Sequence, residues 1–150
     1  MKFIVKSENW HIADCGITKY DAALQLQKDL WQQRYDRQIP DTVLLVEHEQ
    51  VITLGARQSE NKLISTPQSI EQDGIDLVKI GRGGGSTAHN PGQLIIYPII
   101  NIKHLGIDVN KYVNTLEQIG IELLKVFGLE VERKKGFPGL WVADKKIASI

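Results

Sequence analysis

The chain has 150 residues, 18 of them Lys or Arg and 18 Asp or Glu, so its formal net charge is zero. A balanced charge gives no mark of a polyanion binder, and no nucleic-acid partner is expected. The length suits one globular domain, and 42% hydrophobic content supplies a core.

The N-terminus, Met1-Lys2-Phe3-Ile4-Val5-Lys6, lacks a signal-peptide apolar core. No run approaches the length of a membrane-spanning helix, so no membrane association is expected. The single cysteine, Cys15, excludes an internal disulfide framework and points to a reducing compartment, the cytoplasm.

In chain order, Phe3-Ile4-Val5 and Trp10 to Asp14 read as strands, with Cys15-Gly16 as the exit. Thr18 or Asp21 caps a helix running to about Tyr35, with Ala23, Leu26, Leu30 and Trp31 on one buried stripe. Ile39-Pro40-Asp41 ends it, because a residue before proline is pushed out of the helical region. Thr42 to His48 is a buried strand, and Gln50 to Gly55 is a second. Residues 56–72 form a polar loop with one short helix near Pro67 to Gln72, and Asp73-Gly74 is a turn. Ile75 to Ile80 is a strand that delivers the stretch Arg82-Gly83-Gly84-Gly85-Ser86-Thr87-Ala88-His89-Asn90-Pro91-Gly92-Gln93-Leu94. Another strand, Leu94 to Ile100, leaves it. A second helix opens at Asp108 or Asn110, places Val109, Val113, Leu116, Ile119, Leu123, Leu124 and Phe127 on one face, and stops at Gly128. Leu129 to Arg133 is a short strand, Lys134 to Gly139 a basic turn, and Leu140 to Ile150 a hairpin. Mixed strands and helices in this order predict an α+β fold, with a mixed or antiparallel sheet and flanking helices. An apolar strand is an unusual terminus, so residues 1–150 are expected to be one C-terminally incomplete domain, or to pair with a further segment.

Three consecutive glycines let the backbone approach a ligand, and successive free N–H groups make a concave site for an anion or a carbonyl. A strand rather than a helix follows the loop, and no Lys-Ser or Lys-Thr closes it, which excludes a nucleotide-phosphate loop. Arg82 can grip an anion with its guanidinium fork, and His89 can orient a substrate or carry a proton. Ser86 and Thr87 either donate to a carbonyl or satisfy the loop backbone. Lys146 is a solvated turn lysine or, if it points inward, a base or a cationic neighbour for a thiolate. Cys15 reads as a small buried residue, and His48 as a strand terminus, since Glu47 and Glu49 beside it lack metal-site spacing. No metal site is expected.

Three segments together carry a family resemblance. They are Leu44 to His48 with Val51 to Gly55, then Arg82 to Leu94 with Tyr97-Pro98, and Gly139 to Val142 with Lys146 to Ser149. The chain resembles the lipoyl(octanoyl) transferases, the lipoate-protein ligase B family. The resemblance implies a fold shared with biotin and lipoate ligases. It implies transfer of an octanoyl or lipoyl group from acyl carrier protein to a lysine of lipoyl domains, those of 2-oxoacid dehydrogenases and the glycine cleavage H protein. The transfer would pass through a cysteine thioester without a cofactor. It also implies that Arg82, Gly83, Gly84, Gly85, Ser86, Thr87, Ala88 and His89 bind the acyl group. Ser149 and Ile150 would open a second binding segment, and Lys146 would lower the pKa of the nucleophilic cysteine. In that family the cysteine follows the lysine, and Cys15 is outside its motif, so the nucleophile is expected to be absent from this chain. The alternatives are an ATP-dependent lipoate or biotin ligase and a non-catalytic acyl-binding module.

Overall fold

The computed structural model describes residues 1–150. They form two compact units, Met1–Ile100 and Asn101–Ile150.

In the first unit, β1 (Lys2–Lys6) pairs antiparallel with β2 (Trp10–Thr18), and α1 (Tyr20–Tyr35) leads into β3 (Asp41–His48). After two intervening residues β4 (Val51–Leu54) begins. A short 3-10 helix (Gln58–Glu60), α2 (Pro67–Gln72), β5 (Asp76–Lys79), β6 (Thr87–His89) and β7 (Ile95–Ile99) complete the unit. One sheet runs β1-β2-β3-β7, with β2 and β3 parallel, and a second runs β5-β4-β6. The core lies between α1 and the first sheet. It contains Ala13, Ala23, Leu30, Leu44, Val46 and Ile99, with Cys15, Leu26, Ile39 and Tyr97 packed against it. Thr42, Leu44, Val46 and His48 are the buried alternate positions of β3, the period-2 face that a half-buried strand presents.

Two expectations for this unit change. β2 does not leave at Cys15-Gly16 but runs to Thr18. Gly16, at φ 59°, makes a bulge at which the pairing jumps from Asp14–Leu45 to Ile17–Glu47. Neither Thr18 nor Asp21 caps α1: the cap position is Lys19, without a side-chain bond, and the Thr18 hydroxyl donates to the Cys15 carbonyl instead. The stripe of α1 is also narrower than expected. Trp31 is 57% exposed and stacks on Tyr35.

The second unit contains α3 (Val109–Val126) and an antiparallel sheet of β8 (Glu132–Lys134), β9 (Phe137–Val142) and β10 (Lys145–Ala148), with β9 central. Asp108 caps α3 by accepting from the Lys111 N–H, and Gly128 at φ 75° follows the helix end. Here the expected apolar face is corrected. Val109, Ile119, Leu123 and Phe127 are exposed, whereas Glu117 is buried. The inward face is set by Gly120, where a Cβ would lie 2.6 Å from Leu140 Cδ1, and by Glu117, whose carboxylate accepts from the Gly139 N–H and from Arg133 Nε. The basic turn is shorter than expected as well: Phe137-Pro138-Gly139 belong to β9, and the turn is Lys135-Gly136. No helix is long and apolar enough to cross a membrane.

Candidate active site

The glycine loop hangs between β5 and β6 and rests on the segment that follows β4. Gly55 comes so close to it that a Cβ there would lie 2.0 Å from the Gly84 carbonyl oxygen, and a Cβ on Gly85 would lie 2.0 Å from the Glu60 carbonyl oxygen. Asn61 clasps Gly55 from both sides, its Oδ1 accepting from the Gly55 N–H at 2.9 Å and its Nδ2 donating to the Gly55 carbonyl at 2.8 Å. Ser86 Oγ donates to the Lys62 carbonyl at 2.9 Å. Gly84 takes φ 78°, which a residue with a side chain adopts only at a cost.

Arg82 lies inside this loop rather than presenting a free fork. Nη1 donates to the carbonyls of Gly83 (3.0 Å) and Gly85 (2.8 Å), and Nη2 to the hydroxyls of Thr53 (2.8 Å) and Thr87 (2.6 Å). All four partners are neutral, so the guanidinium braces the loop while its charge meets no carboxylate. The carbonyls of Gly83 and Gly85 turn to Arg82. The N–H groups of Gly83, Gly84, Gly85 and Ser86 donate to nothing within the chain. Four unpartnered donors beside an uncompensated cation suit a negative or strongly polarised oxygen.

A ring cluster flanks the loop. His48 ends β3 and is fully buried. Its Nδ1 donates to the Thr18 carbonyl (2.9 Å), which leaves Nε2 to accept from the Tyr97 hydroxyl at 2.8 Å. Burial is the main cause that pushes the Tyr97 hydroxyl up to about 12. The β4–β6 register places His89 opposite Val51, three residues after His48, so the two imidazoles meet edge to face at 5.6 Å. Tyr20, the first residue of α1, lies 5.1 Å from the His48 ring and stacks at 6.3 Å on His89. Burial raises the Tyr20 pKa, against the lowering pull of the Arg82 charge. Burial lowers the His89 pKa, and the His48 and Arg82 charges lower it further, against a raising bond to Gln93. Gln93 Oε1 lies 2.8 Å from His89 Nδ1, and the Gly92 N–H is held by Glu47 Oε2.

The loop thus assembles the expected residues Arg82 to His89, with Ala88 exposed on β6. The Ser86 hydroxyl is engaged by the Lys62 carbonyl, and the Thr87 hydroxyl accepts from Arg82. Cys15 packs on the core, and burial raises its thiol pKa. Lys146, Ser149 and Ile150 belong to the second unit and are exposed there. Lys146 Nζ donates to the Pro138 carbonyl at 2.8 Å and lies 5.1 Å over the Trp141 ring. Sequence reasoning missed Tyr20, His48, Asn61 and Gln93. Only the two glycines Gly55 and Gly85 hinted that a second segment closes on the loop. Two surface clefts of about 470 and 430 Å³ contain no residue of the loop.

The sequence model of the lipoyl protein ligase A/B catalytic domain matches residues 19–150. An octanoyltransferase of Syntrophobacter fumaroxidans is 40% identical over 139 residues, which are 93% of this chain and 61% of that protein. The mitochondrial octanoyltransferase LIP2 of Arabidopsis thaliana is 37% identical over 136 residues, 90% of this chain and 58% of that protein. The chain therefore spans about 60% of the length of these curated relatives. In fold it is similar to P. falciparum LipL1 solved in complex with lipoate (TM-score 0.69, 21% identity, 92% of this chain and 42% of that one). It is similar also to the bi-partite lipoate protein ligase of Thermoplasma acidophilum, solved in a study of that ligase and its E2 lipoyl domain (TM-score 0.65, 17% identity, 94% and 55% covered). The α+β, lipoate-ligase-like architecture read from the sequence is thereby borne out, and the chain belongs to the lipoyl protein ligase A/B catalytic domain family.

Proposed function

We propose that this chain carries the acyl-binding part of an octanoyltransferase, which moves an octanoyl or lipoyl group from acyl carrier protein to a lysine of a lipoyl domain. The observation that carries the reading is the glycine loop: four N–H groups without internal partners, beside an arginine whose charge meets no carboxylate. Relatives 40% identical over 93% of the chain are octanoyltransferases, which supports this acyl chemistry. A thioester carbonyl attacked by a nucleophile develops an oxyanion. Fixed N–H donors in a site poor in water stabilise such a charge far more than water does. The substrate is already activated as a thioester, so the reaction uses no ATP and no resident cofactor.

The residues take these roles. Gly83, Gly84, Gly85 and Ser86 hold the acyl oxygen through their N–H groups. Arg82 keeps the loop in shape and adds a positive field, with Thr87 and Thr53 as its braces. Ala88 and His89 flank the acyl group. Lys146 stabilises a thiolate, with Ser149 and Ile150 in a second binding segment. The reacting thiol lies outside residues 1–150. Cys15 does not serve, since burial disfavours its thiolate. Acceptors are lipoyl domains of 2-oxoacid dehydrogenases and the glycine cleavage H protein, in the cytoplasm.

The test is intact-mass analysis of a lipoyl domain incubated with the full-length protein and octanoyl carrier protein. The expected result is a gain of one octanoyl group that withstands hydroxylamine, as an amide does. Product formed only from free octanoate and ATP would instead establish a ligase. Binding of either partner without product would establish a non-catalytic module.

A further inference from the structure

Gln93 lies outside the loop residues assigned above, yet it sets the state of one of them. His89 Nδ1 stands 2.8 Å from Gln93 Oε1. An amide oxygen only accepts, so the imidazole carries its proton on Nδ1 and presents a lone pair on Nε2. Nε2 makes no hydrogen bond within the chain. Because no buried side-chain nitrogen lacks a partner, this atom opens to solvent. The ring plane is fixed independently by Tyr20, which stacks on it, and by the edge of His48. Gln93 is itself placed by the Asn90-Pro91-Gly92 turn, in which the Gln93 N–H donates to the Asn90 carbonyl and the Gly92 N–H to Glu47.

We infer that Gln93 is a positioning residue that holds His89 with Nε2 free, so that His89 acts as the base of the amide-forming step. The inference rests on the acyl-transfer reading. In that step the neutral lysine amine attacks the thioester carbonyl carbon, and a C–N bond forms. The nitrogen of the tetrahedral adduct is cationic and acidic. His89 Nε2 takes its proton as the oxyanion rests on the loop N–H groups. The C–S bond then breaks, and the imidazolium returns the proton to the departing sulfur. The products are an amide and a thiol, with no net change in protons. The groups facing His89 suit a base. Arg82 on the loop and His48 from β3 oppose a second proton, Tyr20 from α1 is neutral, and Gln93 opposes them only by a neutral acceptor.

The experiment uses the full-length protein, octanoyl carrier protein and a lipoyl domain. It measures acyl-enzyme formation and amide formation separately across pH. Gln93 is exposed, and circular dichroism checks that each variant folds. Gln93→Leu is expected to lower kcat for amide formation by about tenfold or more. KM for the lipoyl domain and acyl-enzyme formation stay within about twofold, the signature of a group that acts in the transition state. Gln93→Glu keeps an acceptor but adds a charge that favours the imidazolium. It is expected to restore kcat at high pH and to move the acidic limb upward. Amide formation by wild type with neither a kcat loss in Gln93→Leu nor a limb shift in Gln93→Glu would overturn the positioning role alone. Absence of amide product from wild type would overturn the acyl-transfer reading, and this inference with it.

Discussion

At the scale of single residues, close approach and buried pairing decide what the site tolerates. Gly55→Ala sets a methyl 2.0 Å from the Gly84 carbonyl oxygen, which is backbone and cannot swing away. We expect a loss of about 1–3 kcal/mol in urea unfolding. Gly83→Ala meets nothing within 4 Å and is expected to lie within about 1 kcal/mol of wild type. An equal loss in the two variants would refute the close-contact account. Tyr97→Phe leaves buried His48 Nε2 without its donor and is expected to cost about 1–3 kcal/mol. The same hydroxyl has a pH signature. Its pKa is about 12 in the fold, against an ordinary 10, so above pH 10 the unfolded chain holds fewer protons than the folded one. Stability therefore falls between pH 10 and about 12, and Tyr97→Phe flattens that fall. Little of this was legible beforehand. The loop announced itself through Gly83-Gly84-Gly85. The partners of His48 are 30 and 49 residues distant, and that pairing follows only from strand register.

At the scale of elements, the sequence was most readable where local chemistry decides and least where tertiary packing does. α2 lies at Pro67–Gln72, where a short helix was expected, because the proline at its start and the Thr66 cap act locally. The three-residue β6 was not read, because Thr-Ala-His has no strand pattern of its own and becomes a strand only by pairing with β4. The face of α3 was misread for a related reason. Hydrophobic spacing selected Ile119, Leu123 and Phe127, but a buried carboxylate and a glycine mark the side that meets β9. Glu117 accepts from Gly139 and Arg133 together, so it fastens the helix to the hairpin that bears Lys146. Glu117→Ala is expected to cost about 1–3 kcal/mol in denaturant unfolding, the range for leaving the buried Gly139 N–H without an acceptor, since Arg133 reaches solvent. Glu117→Gln keeps an acceptor for the Gly139 N–H and is expected to lose less. Asp108→Ala, which removes only a cap, is expected to cost about 1 kcal/mol.

At the scale of the whole molecule, 18 cations against 18 anions leave no net charge to steer a partner, and the sequence pI is near 6.9. Recognition of a charged partner must then come from local groups such as Arg82. The chain is expected to pass through a heparin column at physiological salt. Its solubility is expected to be lowest near pH 7 and to rise toward pH 8.5, which nephelometry reads directly. Retention on heparin would show that charge is segregated on one face despite the balance. The α+β class was legible from element order alone. The division into two compact units was not, because Ile100 and Asn101 carry no linker composition.

Arg82 offers a clock for the loop. Dicarbonyl reagents condense with the terminal nitrogens of a guanidinium, and both of those in Arg82 are engaged by Thr53, Thr87, Gly83 and Gly85. The adduct can form only when Arg82 has released these partners, three of which (Gly83, Gly85 and Thr87) belong to the loop itself, so that the loop must open. Its rate of formation therefore counts loop openings, and any acyl group that seats on the loop N–H groups should slow the count.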